Sequence, residues 1–174
     1  MIHDRDPAVL NRDQVGHWEG DLIMGAGNAT AIVTLVERVT RLTLLGHLPA
    51  GAHDAASVTA SVVDALSQLP SQARLTLTWD QGKEMARHRE IAAALDNTQV
   101  FFCDPHSPWQ RPTNENTNGV LRDYFPKGSN LGVHTADDLA SVQTELNQRP
   151  RKVLHWDCPE DRMAKLLGTP VLRR

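Results

Sequence analysis

Hydrophobic positions near the start of the chain fall into three short runs, HWEGDLIMGAG, ATAIVTLVERV and RLTLLGHL, separated by Gly, Asn, Thr and Arg turn positions. β-Branched and leucine-rich runs at this spacing predict a three-stranded antiparallel meander. After Pro49 and Gly51 the period lengthens. Val58, Val62, Ala65, Leu66 and Leu69 recur every three or four residues, Asp54 stands where a cap belongs, and Pro70 ends the run, which predicts an amphipathic helix. RLTLTWD returns to alternation as a strand, KEMARHREIAAAL has helical period, and VFFCD reads as a short apolar strand. Strand, helix and strand in that order imply a parallel continuation of the sheet. Prolines at 105, 108 and 112 mark a loop, after which helices are predicted from Thr113 to about Phe125, from Thr135 to about Asn147 and through PEDRMAKLL. The whole pattern is that of an α/β domain with a mixed five-stranded sheet, three antiparallel strands and then parallel ones, covered by helices on both faces.

With 174 residues, 40% of them hydrophobic, the chain suits one core and is cramped for two. Residues 1–15 lack apolar periodicity and read as a lead-in arm, 16–168 as the domain and 169–174 as a tail. No apolar run is long enough to span a bilayer and the amino terminus is polar, so a cytoplasmic protein with no membrane partner is expected. Cys103 and Cys158 stand far apart, which excludes a disulfide scaffold; together with His106 and His155 they lack the paired spacing of a zinc site. Gly25 and Gly27 have no third glycine and no following helix, so a dinucleotide fingerprint is absent. A net charge of -3 rules out a uniformly basic nucleic-acid coat. The balance is uneven, however. Residues 1–105 hold 8 basic and 13 acidic side chains, whereas 106–174 hold 10 and 8, including Arg149, Arg151 and Lys152. A local basic surface fits the second half.

Three carboxylates stand out. Asp21 lies within the first strand, beside Leu22 and Ile23, where a charge is costly unless something compensates it. Asp80 ends the strand RLTLTWD, at the kind of strand tip where open α/β sheets place ligand groups. Glu115 opens the helix that begins near Thr113, with Asn118, Gly119 and Arg122 on its face and Val120, Leu121, Tyr124 and Phe125 largely opposite. If the first and fourth strands are neighbours, Asp21 and Asp80 converge and the helix brings in Glu115. Such a cluster repels itself unless cations neutralise it, and two divalent ions about 3.5–4 Å apart are the usual solution in phosphodiester chemistry.

The stretches HWEGDLI, TLTWDQGKEMARHREIA and VFFCDPHSPWQRPTNENTNGVLRDYFPKG closely resemble the catalytic core of DDE transposases of bacterial insertion sequences, specifically the IS-thirty family. The resemblance runs from about Ile2 to Leu167. It implies a ribonuclease H-like fold shared with retroviral integrases, and Asp21, Asp80 and Glu115 as the triad that binds two Mg²⁺ or Mn²⁺ ions. Thirty-four residues separate Asp80 from Glu115, within the spacing such enzymes use. Two positions depart from the family pattern: Gln81 stands where Asn or Arg is common, and Pro112 replaces the usual Gly. Proline is acceptable in a first helical turn, where its missing N–H has no partner to lose. Family members also carry a helix-turn-helix end-binding region ahead of the core, and residues 2–15 are too short to form one.

The implied activity is metal-dependent cleavage and strand transfer at insertion-sequence ends, with terminal inverted repeats and target DNA as partners of a homo-oligomer. Lys83, Trp109, Arg111, Asn114, Asn118, Arg122 and Lys127 are the expected DNA contacts. Two other readings compete: a ribonuclease H-like nuclease using the same chemistry, and a truncated, non-catalytic remnant that associates with full-length transposase.

Overall fold

The computed structural model describes residues 1–49, 51–96 and 98–168, so the expected tail at 169–174 lies outside the described residues. Strand β1 (His17–Met24) is the longest and lies at the centre of the sheet. It pairs antiparallel with β2 (Ala31–Glu37), which pairs antiparallel with β3 (Thr43–Gly46). On its other side β4 (Thr76–Trp79) joins in parallel, followed by β5 (Gln99–Phe102), giving the order β3-β2-β1-β4-β5. The predicted mixed five-stranded sheet is therefore the one that forms.

Strand alternation sorts the side chains onto two layers. Trp18, Val33, Leu35, Leu77 and Trp79 pack beneath α1 (Ala55–Ser67) and α2 (His88–Ala94). Ile23 and Ile32 point the other way, toward Leu121 of α3 (Pro112–Leu121) and Leu139 and Leu146 of α4 (Ala136–Gln148). Met163 of α5 (Pro159–Leu167) completes the first layer. Helix starts follow the cap chemistry that the sequence offers. Asp54 Oδ1 accepts the backbone N–H groups of Ala56 and Ser57 at 2.8 and 3.1 Å, and Thr135 and Asp138 form a reciprocal capping box.

β3 lies at the sheet edge, and α4 closes that edge with side-chain amides instead of a sixth strand. Thr43 N–H donates to Asn147 Oδ1 at 2.8 Å, Asn147 Nδ2 returns a bond to Thr43 O at 2.7 Å, and Leu45 N–H donates to Gln143 Oε1 at 2.8 Å. Gln143 and Asn147 are one helical turn apart, which matches alternate residues of the strand.

Three segments differ from the pattern reading. The run from Lys83 to Leu95 is broken into a 3-10 turn, Lys83–Met85, and α2, because Trp79 Nε1 donates to Glu84 Oε1 at 3.1 Å and Met85 turns into the core. α3 ends at Leu121, four residues short of Phe125, in a tight turn that carries the chain to Pro126. The lead-in arm is also packed: it forms two 3-10 turns, buries Val9, and anchors Arg5 by an Nη1 bond of 2.9 Å to Thr78 Oγ1. Among the described residues no helix is long and apolar enough to cross a membrane.

Gly20 sits where the Trp79 ring crosses β1, and a Cβ there would lie 2.1 Å from Trp79 Cζ3. Gly20→Ala must therefore displace the indole between the two strands that carry Asp21 and Asp80. A stability loss of about 2–3 kcal/mol is expected, measured by urea denaturation; a loss under about 0.5 kcal/mol would show that the indole yields freely.

Candidate active site

Parallel pairing of β1 with β4 matches His17 with Thr76, Trp18 with Leu77 and Glu19 with Thr78. Carried on by two residues, the same register sets Asp21 beside Asp80 at the end of β4. Both face the layer that holds α3. The two carboxylates are compensated by one cation. Arg111 Nη1 lies 3.3 Å from Asp21 Oδ1, and Arg111 Nη2 lies 3.3 Å from Asp80 Oδ2. Nη1 also donates to the Gly20 carbonyl at 2.7 Å, so the guanidinium is fixed across both strands with its side chain only 10% exposed. Burial works against the charge of Arg111, but Asp21 and Asp80 outweigh it and hold the guanidinium above its ordinary value. Burial pushes the Asp21 carboxyl up; Arg111 pulls it back and Asp80 adds to the push.

A second buried carboxylate sets the position of α3. Pro112 occupies its first turn and Arg111 offers no side-chain cap, so the free N–H groups of Thr113 and Asn114 donate to Glu19 Oε2 at 2.8 and 2.9 Å. Glu19 is completely buried and its Oε1 lies 3.5 Å from Arg38 Nε. Asn114 is also completely buried. Its Nδ2 donates to the carbonyls of Glu19 and Thr34 at 3.0 and 3.2 Å, and its Oδ1 accepts from Thr34 Oγ1 at 3.3 Å. One turn later Asn118 Nδ2 donates to Asp21 Oδ2 at 3.0 Å, and beyond it Arg122 Nη1 reaches the carbonyls of Met24 and Phe125, each at 3.2 Å. The polar stripe of α3 is thus laid against β1.

Of the residues singled out from the sequence, Asp21, Asp80, Arg111 and Asn118 meet in one place. Glu115 stands on α3 between Arg111 and Asn118; its side chain is exposed, and no hydrogen bond or ion pair holds it among the described residues. Among the described residues no group of three or more His, Cys, Asp or Glu side chains stands ready to hold a metal ion. Arg111 meets both aspartates in its place. Asn114, expected among the DNA contacts, is sealed beneath α3 and serves to fasten the helix. Arg122 is half-buried and spends its donors on carbonyls. Lys83, Trp109 and Lys127 are exposed and open to a partner.

Sequence reasoning missed Glu19, although its place two residues before Asp21 puts both on one face of β1. Glu84 accepts a bond from Trp79 Nε1 and sits against Asp80; burial raises its pKa first, and Asp80 adds to the rise. The turn before α3 is braced as well. Gln110 accepts the Asp104 N–H and donates to Asp104 Oδ2, both at 2.9 Å. An open cavity of about 510 Å³, lined by Asp80, Gln81, Cys103, Ser107 and Arg111, lies beside the two aspartates.

Residues 12–108 match the model of the integrase core domain family, and this span exceeds half of the chain. The chain belongs to that family. The transposase for insertion sequence element IS1086 of Cupriavidus metallidurans is 51% identical over 172 residues, covering 99% of this chain and 50% of that protein. Transposase InsI for insertion sequence element IS30A of Escherichia coli is 46% identical over 160 residues, covering 92% of this chain and 41% of that protein. The chain therefore spans about half the length of the curated relatives it matches. Its fold is that of the catalytic core domain of BIV integrase, with a TM-score of 0.65 at 19% identity over 88% of this chain and 96% of that one. A chain of the simian T-cell lymphotropic virus intasome, solved with the PP2A regulatory subunit B56 gamma, superposes with a TM-score of 0.57 over 77% of this chain and 49% of that one. The ribonuclease H-like α/β architecture follows from this likeness. The family match ends before α3, so Glu115 lies outside it, in a stretch that the transposase relatives cover.

Removing the bridging cation leaves two carboxylates side by side without compensation. Arg111→Gln is expected to cost roughly 2 kcal/mol at pH 7 by chemical denaturation. Without Arg111 the folded-state pKa of Asp21 lies further above its unfolded value, so the variant gains protons on folding as the pH falls. The deficit should shrink on acidification toward about pH 4. An equal deficit at both pH values would show that packing, not charge, is what Arg111 supplies.

Proposed function

We propose that this chain is the catalytic core of an insertion-sequence transposase, which cuts DNA strands at element ends and joins them to target DNA. One observation carries the reading. Asp21 and Asp80 are brought side by side on adjacent parallel strands, at the foot of a helix that carries Glu115. The named activity of the IS1086 and IS30A relatives gives that arrangement its substrate.

The donor set suits a hard divalent cation such as Mg²⁺ or Mn²⁺. Asp80 Oδ1 and Asn118 Oδ1 are out of solvent without a hydrogen-bond partner, and oxygen-only donors are what these ions prefer. Asp21, Asp80 and Glu115 would hold two such ions, whose chemistry is to activate the attacking hydroxyl and steady the leaving oxygen. The chain's own residues do the rest. Asn118 orients Asp21 through its bond to Oδ2. Glu19 and Asn114 fix the start of α3 and hence the height of Glu115 above the sheet. The open cavity beside Asp80 gives a DNA strand access from the side of Gln81 and Ser107. Arg111 is placed to change partners: were the aspartates to hold a cation, its guanidinium would be free for a phosphodiester oxygen, for which it is suited. Lys83 and Lys127 are exposed cations for the DNA backbone, and a homo-oligomer on two element ends and a target is the working form. The arm at 1–15 serves as the entry to this core.

Two measurements test the reading. DNA carrying the IS1086 terminal inverted repeats should be nicked and joined only with Mg²⁺ or Mn²⁺, and Asp80→Ala or Glu115→Gln should lower the rate at least about a hundredfold. Undiminished activity in either variant overturns it, and nicking without any strand-transfer product favours a simple nuclease. Separately, calorimetric titration with Mn²⁺ should show about tenfold tighter binding to Arg111→Gln than to the parent chain, because the ion no longer displaces a guanidinium. Equal or weaker binding would remove the exchange role of Arg111.

A further inference from the structure

The turn Pro108–Gln110 separates the aspartate cavity from a second cleft of about 480 Å³, within the range of about 300–1,000 Å³ that small-ligand sites occupy. Its far wall is the amino-terminal arm. Arg5, Arg12 and Arg38 line it together with Leu10, Trp109 and Pro112, and Asp6 is the one carboxylate among the described lining residues. Arg38 is 5% exposed, and its Nε and Nη1 have no hydrogen-bond partner. Its Nε meets Glu19 Oε1 only at 3.5 Å, beyond the reach of a good hydrogen bond, while Glu19 Oε2 accepts the backbone of α3. Arg5 is 7% exposed. The basic groups are crowded. Burial, followed by Arg38 and then Arg5, pushes the His17 imidazole down to about 4. At the rim Trp109 is 69% exposed, with its indole free of any ring partner.

A buried guanidinium whose Nη1 has no acceptor and whose Nε meets a carboxylate only at 3.5 Å has donors left to offer, and a phosphate oxygen satisfies several at once. An exposed indole beside such a site is suited to the face of a base. We propose that this cleft binds the phosphorylated, unpaired end nucleotide of a DNA strand, with its phosphate on Arg12 and Arg38 and its base on Trp109. The assignment rests on the reading of the chain as one that acts on DNA. It places that nucleotide across the turn from Asp21 and Asp80, so that one strand end is parked while the other is processed.

The test uses the full chain with Trp156→Phe, since Trp18 and Trp79 are completely buried and Trp109 then reports alone among exposed tryptophans. The dinucleotide pTpT should quench Trp109, whereas thymidine and inorganic phosphate should each bind at least about tenfold more weakly. Arg12→Glu should weaken pTpT about tenfold with an unchanged circular dichroism spectrum, and Arg12→Gln should do so to a lesser degree. A duplex with a 5′-phosphorylated single-stranded extension should displace pTpT, and a blunt duplex of the same sequence should not. Absence of quenching, indifference to Arg12→Glu, or equal competition by the blunt duplex overturns the proposal. Asp80→Asn should bind pTpT like the parent, which separates the two readings. Binding that depends on Arg12 in a chain that cuts no DNA would sink the transposase reading and spare the cleft; cleavage without such binding would do the reverse.

Discussion

Parallel pairing of β1 and β4 forces two carboxylates into one place, and the site is arranged around that repulsion. A sheet has no freedom to separate Asp21 from Asp80 without losing the register that buries Trp18, Leu77 and Trp79 on its other face. The compensation is one guanidinium, that of Arg111, anchored to the Gly20 carbonyl between the two strands. Its position also sets where the next helix begins. Arg111 immediately precedes the Pro112 that opens α3, so the charge lock and the helix start are a single unit. Glu19 then caps that helix from the same face of β1. Three acidic residues are therefore balanced by two arginines, Arg111 and Arg38, and one helix amino terminus.

Much of this was readable from the residues alone. β-Branched and leucine-rich runs marked β1, β2 and β3, alternation marked β4, the spacing from Val58 to Leu66 marked α1, and Asp54 marked its cap. Asp21 and Asp80 were identifiable because a charge in a strand and a charge at a strand tip are unusual for specific reasons. What stayed hidden depends on pairs that are distant in sequence. Glu19 meets Thr113, and Arg111 meets Asp21, across about ninety positions that no local pattern connects. Asn114 looked like a polar surface residue, since its burial depends on the carbonyls of β1 and β2 that only the folded sheet supplies. The break before α2 had the same origin: helical propensity lost to one bond from Trp79 and the burial of Met85.

The turn before α3 is the meeting point of the functional proposals. On one side it faces the aspartates through Arg111; on the other it exposes Trp109 to a cleft walled by the arm. Gln110 braces it on Asp104, whose carboxylate also accepts a contact of 2.8 Å from His3 in the arm. A rearrangement on either side of so short a segment is transmitted to the other, and Pro112 stiffens the joint at which the helix begins.

The amides that close the β3 edge have a consequence for assembly. With Gln143 and Asn147 occupying the outward backbone groups of β3, that border offers no template for another strand. Two copies of this chain brought together could not extend one another's sheets there and would meet through helices and loops, contacts that can be made and broken without unzipping the fold.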